Sequence, residues 1–363
     1  MMNRIIASLA ALAISVGAVK AAEETPRPPI EPVLENMLTG YIRPGYSALD
    51  DAASDLKSSM DALCDAPSEN GLQTARTAFR TSVLSWARME WLRLGPVMSE
   101  NRLERILFFP DRKGTGRKQV QAAIASSSEK VTEVDVLAGQ SVAMQGLGAL
   151  EYLLFGRGSE ALAGSTATHR CTFAQSAAAN MVNLSEEIIA GWQDGTELVA
   201  MFTKPAPDNP LYRTDQEALN VLLGQMIHGL EAIRDTRLAA FLNKENPARD
   251  RPKSALFWRA GMTLPSIQAN IEGLETLFNE SGIEVISQAL APRLVDGIRF
   301  EFAQAIRTAQ ALDAPVSDLL ADPQTRDKLV YLDYAVKIII DRLDQEFAQA
   351  GGLAVGFSFG DGD

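Results

Sequence analysis

Histidine and cysteine are scarce here, two of each in 363 residues. No H-E-x-x-H pair occurs, so a zinc protease of that type lacks its ligands and its base. No G-x-S-x-G elbow, phosphate-binding loop or G-x-G-x-x-G stands after a strand, because convincing strand patterns are absent too. Basic residues are in deficit, 34 against 46 acidic ones. That balance argues against a nucleic-acid partner and favours cationic ligands. After the first twenty residues there is no further long apolar run, which points to a product that is soluble once exported.

The first stretch, MMNRIIASLAALAISVGAVKAAEE, carries the marks of a secretory signal. Arg4 gives a positive start, Ile5 to Val19 an apolar stretch too short to span a bilayer, and Val19-Lys20-Ala21 a small-residue cleavage pattern. Cleavage is expected near Ala21, giving residues 1–21 as signal and the periplasm as destination. Without Arg4 and Lys20, 32 of the 34 basic residues face 46 acidic ones, a formal charge of −14. In an oxidising compartment an even cysteine count predicts a disulfide, here Cys64 with Cys171. It would join the end of the first long helix to the start of a later one.

Helical periodicity dominates the rest, and 46% of the residues are hydrophobic, enough for large cores. The expected fold is all-α, two four-helix-bundle domains in tandem. Pro26, Pro28, Pro29 and Pro32 make residues 22–46 an extended lead. A first bundle then covers 47–197, with helices at 47–65, 69–94, 116–125, 140–155 and 169–194. Residues 198–214, with three prolines and no apolar period, read as a linker. The second bundle covers 215–350, with helices at 215–243, 257–281, 284–311 and 322–350. A Gly-rich acidic tail, 351–363, closes the chain and is expected to be solvated. Setting GLGALE (146–151) over MIHGLE (226–231) aligns Glu151 with Glu231 and suggests a duplication.

Two acids stand where core residues belong. Leu147, Leu150, Glu151 and Leu154 fall on one helical stripe, and so do Val83, Trp86, Ala87, Glu90 and Leu94. A carboxylate turned inward must be protonated, paired with a cation or bound to a metal. Arg88, Arg93 and Arg105 are candidate partners; two inward carboxylates on neighbouring helices are also how metal sites are built in bundles. Asp111, before a polar loop, reads as a turn or cap residue. His169 reads as a surface or capping residue at a helix start. His228 and Glu231, at i and i+3, are a further candidate pair in the second bundle, either as ligands or as an intrahelical contact.

The segments LSWARMEWLRLGPV, FFPD, QGLGALEYLLFG, RCTFAQSAAANM, NPLYRTDQEAL, FWRAGMT and GFSFGDGD occur in an order that resembles the imelysin-like family. That family includes proteins labelled insulin-cleaving membrane protease and iron-regulated periplasmic proteins. The resemblance implies tandem helical bundles and a link to iron uptake. The family motif G-x-H-x-x-E is degenerate here: Gly146 and Glu151 match, and Gly148 replaces the histidine. The resemblance also implies Glu90, Asp111 and Glu151 as metal-site positions. Without the imidazole they form an all-oxygen set suited to a harder cation, iron or another divalent ion. The expected function is a periplasmic binding protein for a metal ion or metal-containing ligand. The alternative is an interaction or carbohydrate-binding module with an envelope partner. A metallopeptidase ranks below both, since the catalytic residues it needs are missing.

Overall fold

A computed structural model describes residues 30–164, 169–288, 291–354 and 356. Every regular element among them is helical, as the periodicity predicts. The expected signal segment, residues 1–21, and the end of the tail lie outside the described residues. No described helix is long and apolar enough to cross a membrane.

Nine helices carry the architecture: α1 (Arg43–Asp65), α2 (Glu69–Met89), α3 (Thr115–Ala125), α4 (Gly146–Phe155), α5 (His169–Gly191), α6 (Asp215–Ala232), α7 (Thr263–Ser281), α8 (Pro292–Gln310) and α9 (Pro323–Asp341). Each buries an apolar stripe. On α1 it is Tyr46, Leu49, Ala53, Leu56, Met60 and Leu63; on α2 it is Leu72, Ala75, Phe79, Val83 and Trp86. Starts are marked by capping oxygens. Ser68 accepts from Gly71 N, Thr214 from Glu217 N and Asp322 from Thr325 N, each supplying an acceptor to an otherwise unpaired amide. Cys64 and Cys171 form the expected disulfide between the end of α1 and the start of α5.

Several expectations are corrected. The lead to residue 46 is not extended throughout: the chain is helical from Glu31, and Val33, Leu34, Met37, Leu38 and Tyr41 are buried. Proline at the first turn is compatible with a helix start, which the proline count obscured. Residues 198–214 are not a bare linker either. Glu197–Thr203 is a helix, Phe202 and Tyr212 are buried, and Asn209 ties the segment by donating to the Met201 and Lys204 carbonyls.

The two halves interlock. α7 of the second half packs on α2 of the first. Asn270 on α7 donates to the Ala87 carbonyl, and Tyr41 donates to the Arg88 carbonyl. A Cβ at Gly273 would lie 2.2 Å from the Arg88 carbonyl oxygen, so only glycine permits this approach. The buried apolar residues consequently form one continuous cluster running from Ile30 to Leu353.

Three helix boundaries position the buried acids and their partners. α2 stops at Met89 rather than Leu94, leaving Glu90 as its C-terminal cap residue. α4 starts at Gly146, not Gln140, because Gly146 takes φ +60° and its α-carbon faces the Arg105 and Ile106 carbonyls, where a Cβ would be 2.3 and 2.2 Å from oxygen. α7 starts at Thr263, not Phe257; residues 255–262 form an irregular loop.

Candidate functional site at the interface of the two halves

Glu90 is 7% exposed and points inward, as its stripe requires. Its hydrogen-bonded cation is neither Arg88 nor Arg105, and Arg93 acts on it through charge. Arg237 Nη1 donates to both carboxylate oxygens at 3.0 and 2.9 Å, and Asn270 Nδ2 adds a third bond at 3.1 Å. Arg237 Nη2 is taken by Ser266 Oγ at 2.7 Å. The guanidinium is 2% exposed, lies over the Phe109 and Phe257 rings, and has its pKa lowered by burial against the opposing pull of Glu90. Arg237 comes from a π-helical turn, Ile233–Leu238, that continues α6. The extra residue in that turn re-aims the side chain towards α2. Arg88 instead pairs with Glu272, and Arg105 bonds Gln145 and Asn180.

Glu151 on α4 is 6% exposed and is held differently. Oε1 accepts the backbone N–H groups of Arg259, at 2.9 Å, and Ala260, at 3.3 Å; Oε2 faces Arg259 Nη1 at 3.4 Å. These donors belong to the loop before α7. Its shape is pinned by Phe257 at φ +57°, by Met262 N donating to Phe257 O and by Thr263 Oγ1 donating to Leu256 O. Consecutive amides thereby converge on one carboxylate oxygen, a small anion-binding nest. Burial nevertheless pushes the Glu151 carboxyl above its usual range, and the Arg259 charge and N–H bonds offset this only in part.

Asp111 is a cap, as its position suggested. Its two oxygens accept Thr115 N at 2.6 Å and Gly116 N at 2.9 Å, closing the N-terminus of α3. His169 bonds the Ser128 carbonyl at 2.7 Å. His228 is buried on α6 with Nδ1 3.1 Å from Glu231 Oε2. Glu151 and Glu231, aligned in the sequence, thus occupy unlike surroundings.

Among the described residues no group of three or more His, Cys, Asp and Glu side chains could hold a metal ion. Glu90, Asp111 and Glu151 each spend their oxygens on protein donors. These residues do not fit a bare metal ion without breaking bonds already made.

Asp111 and Glu151, but not Glu90, line a cleft of about 690 Å³, together with Gly148, Trp258, Arg259 and the π-turn residue Thr236. Gly148 is exposed to it; a Cβ there would meet nothing within 4 Å. The position where the family carries histidine therefore opens into space. Sequence reasoning missed Arg237 and Arg259. Arg237 was detectable, since Leu230, Ile233, Arg237 and Phe241 share one stripe, the signal that singled out Glu90. Arg259 binds through a loop whose conformation no spacing rule encodes.

The imelysin family model (Imelysin, Peptidase_M75) matches residues 42–343, and the chain belongs to this family. It is similar in fold to an imelysin-like protein from Psychrobacter arcticum, with 19% identity, 90% of this chain and 96% of that one covered, and a TM-score of 0.74. It is also similar to a protein named as a putative iron-regulated protein A precursor from Parabacteroides distasonis, with 14% identity, coverage of 89% and 97%, and a TM-score of 0.69. Curated protein sequences yield no match.

Proposed function

We propose that the protein is an exported, periplasmic binding protein of the iron-uptake kind that takes a metal-containing ligand into the cleft as an intact complex. The link to iron is supported by the family and by the iron-regulated relative; the export step by the signal pattern of residues 1–21. One observation carries the cleft reading. Gly148 leaves the imidazole position empty beside a cavity of about 690 Å³, while the three acids nearby are already bonded. That volume is in the range of small-molecule sites, on the order of 300–1,000 Å³.

Calorimetry on the mature protein tests this, with ferrous, ferric and zinc ions run beside a panel of ferric chelates. A chelate is expected to bind, and Gly148→Leu, which places a side chain in the cleft, is expected to abolish binding without lowering the melting temperature. Tight binding of a bare ion, or indifference to Gly148→Leu, would overturn it.

A second reading keeps the cleft and drops the metal: a carbohydrate or envelope-partner module. Tyr152 and Trp258 line the cleft, and aromatic rings suit sugar faces. Binding of neutral oligosaccharides with no response to any chelate would favour it.

A further inference from the structure

The chain as a whole is acidic, yet the cleft is not. Of the residues lining it, seven are basic and three acidic, against 34 and 46 in the entire sequence. Arg112, Lys113, Arg117 and Lys118 come from the loop and first turn of α3, and Arg251, Lys253 and Arg259 from the segment before α7.

The three acids are already neutralised or capped. Asp111 closes α3, Glu151 sits in the 259–260 nest, and Asp235 accepts from Arg234 Nε and Nη2 at 2.8 and 2.9 Å. Among the described residues, by contrast, none of Arg112, Lys113, Arg117, Lys118, Arg251 and Lys253 makes an ion pair. Arg259 is pre-positioned. Its guanidinium lies over the Trp258 ring at 4.5 Å and the Tyr152 ring at 5.6 Å, and only Nη1 reaches Glu151. Nε and Nη2 have no acceptor among the described residues, so one edge of a planar fork remains to be used. That fork matches a carboxylate or phosphate in two-point geometry.

We infer that the cleft binds a small multivalent oxyanion, carrying carboxylate or phosphate groups, with Arg259 as its fixed contact and the 112–118 and 251–253 cations as its field. The inference rests on reading this cleft as the ligand site. Low-dielectric walls, Phe109, Phe257 and Trp258 among them, strengthen that field, while the acidic remainder of the surface repels the same ligand elsewhere. Under the iron reading, the ligand is a ferric ion wrapped in a polycarboxylate whose net charge is negative.

The mature protein is titrated with citrate, ferric citrate, pyrophosphate and a neutral ferric hydroxamate complex, following tryptophan fluorescence and heat. At least one anion should bind, with affinity falling about tenfold or more between low and high salt as screening sets in. Arg117→Glu with Lys118→Glu, exposed residues lining the cleft, should weaken it by a similar factor, and Arg259→Gln should do so without changing the salt response of the rest. Arg213→Glu, exposed away from the cleft, should leave it unchanged. Ferric citrate binding more tightly than citrate supports this inference and the iron reading together. Equal binding of citrate with and without iron supports the oxyanion site and removes the iron role. Salt-insensitive binding of the neutral complex alone, blocked by Gly148→Leu, overturns the oxyanion site while leaving the cleft reading standing. No binding by any probe overturns both.

Discussion

Glu90 and Glu151 pose the same physical problem, an acid on an apolar helical stripe, and the fold answers it in two ways. Glu90 is enclosed: one guanidinium and one amide use both oxygens, and the Arg237 fork is itself satisfied by Ser266. Glu151 is at the edge of a cleft, held mainly by two backbone amides and by an arginine whose remaining donors are unspent. Both acids are bonded across the two halves of the chain, Glu90 to Arg237 and Glu151 to Arg259. These two acids therefore mark the seam of this molecule, whereas the buried Asp333 pairs with Lys244 inside the second half, and of the two only Glu151 lines the cleft.

Breaking the enclosed pair should cost most. Arg237→Met leaves Glu90 buried without the guanidinium that bonds it, an expected loss of about 3–5 kcal/mol in chemical denaturation. Adding Glu90→Gln to Arg237→Met should recover much of it. If the single variant loses under about 1 kcal/mol, water reaches Glu90 and the carboxylate is not enclosed.

Arg259→Ala should cost less, about 1–2 kcal/mol, because the amides of residues 259 and 260 keep their bonds to Glu151. A cost equal to that of Arg237→Met would erase the contrast between the two sites.

The pH response separates them further. Glu151 is held above its usual range, so the folded chain binds that proton more tightly than the unfolded one does. Its contribution to stability is therefore greatest at low pH and declines as pH rises from the ordinary carboxyl value, about 4.3, through the raised one. The melting temperature of the wild type minus that of Glu151→Gln should increase as pH falls through this window. A difference independent of pH would show that the Arg259 contacts fully offset burial.

The smallest effect is expected at Gly148. Alanine there meets no neighbour and gains helix propensity, so stability should rise by about 0.5–1 kcal/mol. Gly146→Ala, two residues earlier, should be strongly destabilising because of its positive φ and its contact with two carbonyls. One motif thus holds a glycine required by backbone geometry and another that only leaves room.

Much of this was legible in the chain itself. The helices, the inward turn of both acids, the cap at Asp111 and the cysteine pairing follow from spacing, capping chemistry and cysteine count. The partners did not. Arg88, Arg93 and Arg105 are near Glu90 in sequence, whereas the cation that bonds it is 147 residues away. The expected boundary at 198–214 failed as a break in packing, because proline content reports local backbone preference and says nothing of Phe202 and Tyr212 entering the core.

Local periodicity, set by the fixed turn of the helix, determined which residues would be inside and that two of them would be charged. Which charge meets which, and that the histidine position of the motif would open onto a cationic cleft in an acidic protein, was decided only when the halves closed on each other. Those contacts join residues more than a hundred positions apart, and their geometry depends on a π turn and an irregular loop, neither of which leaves a repeating pattern along the chain.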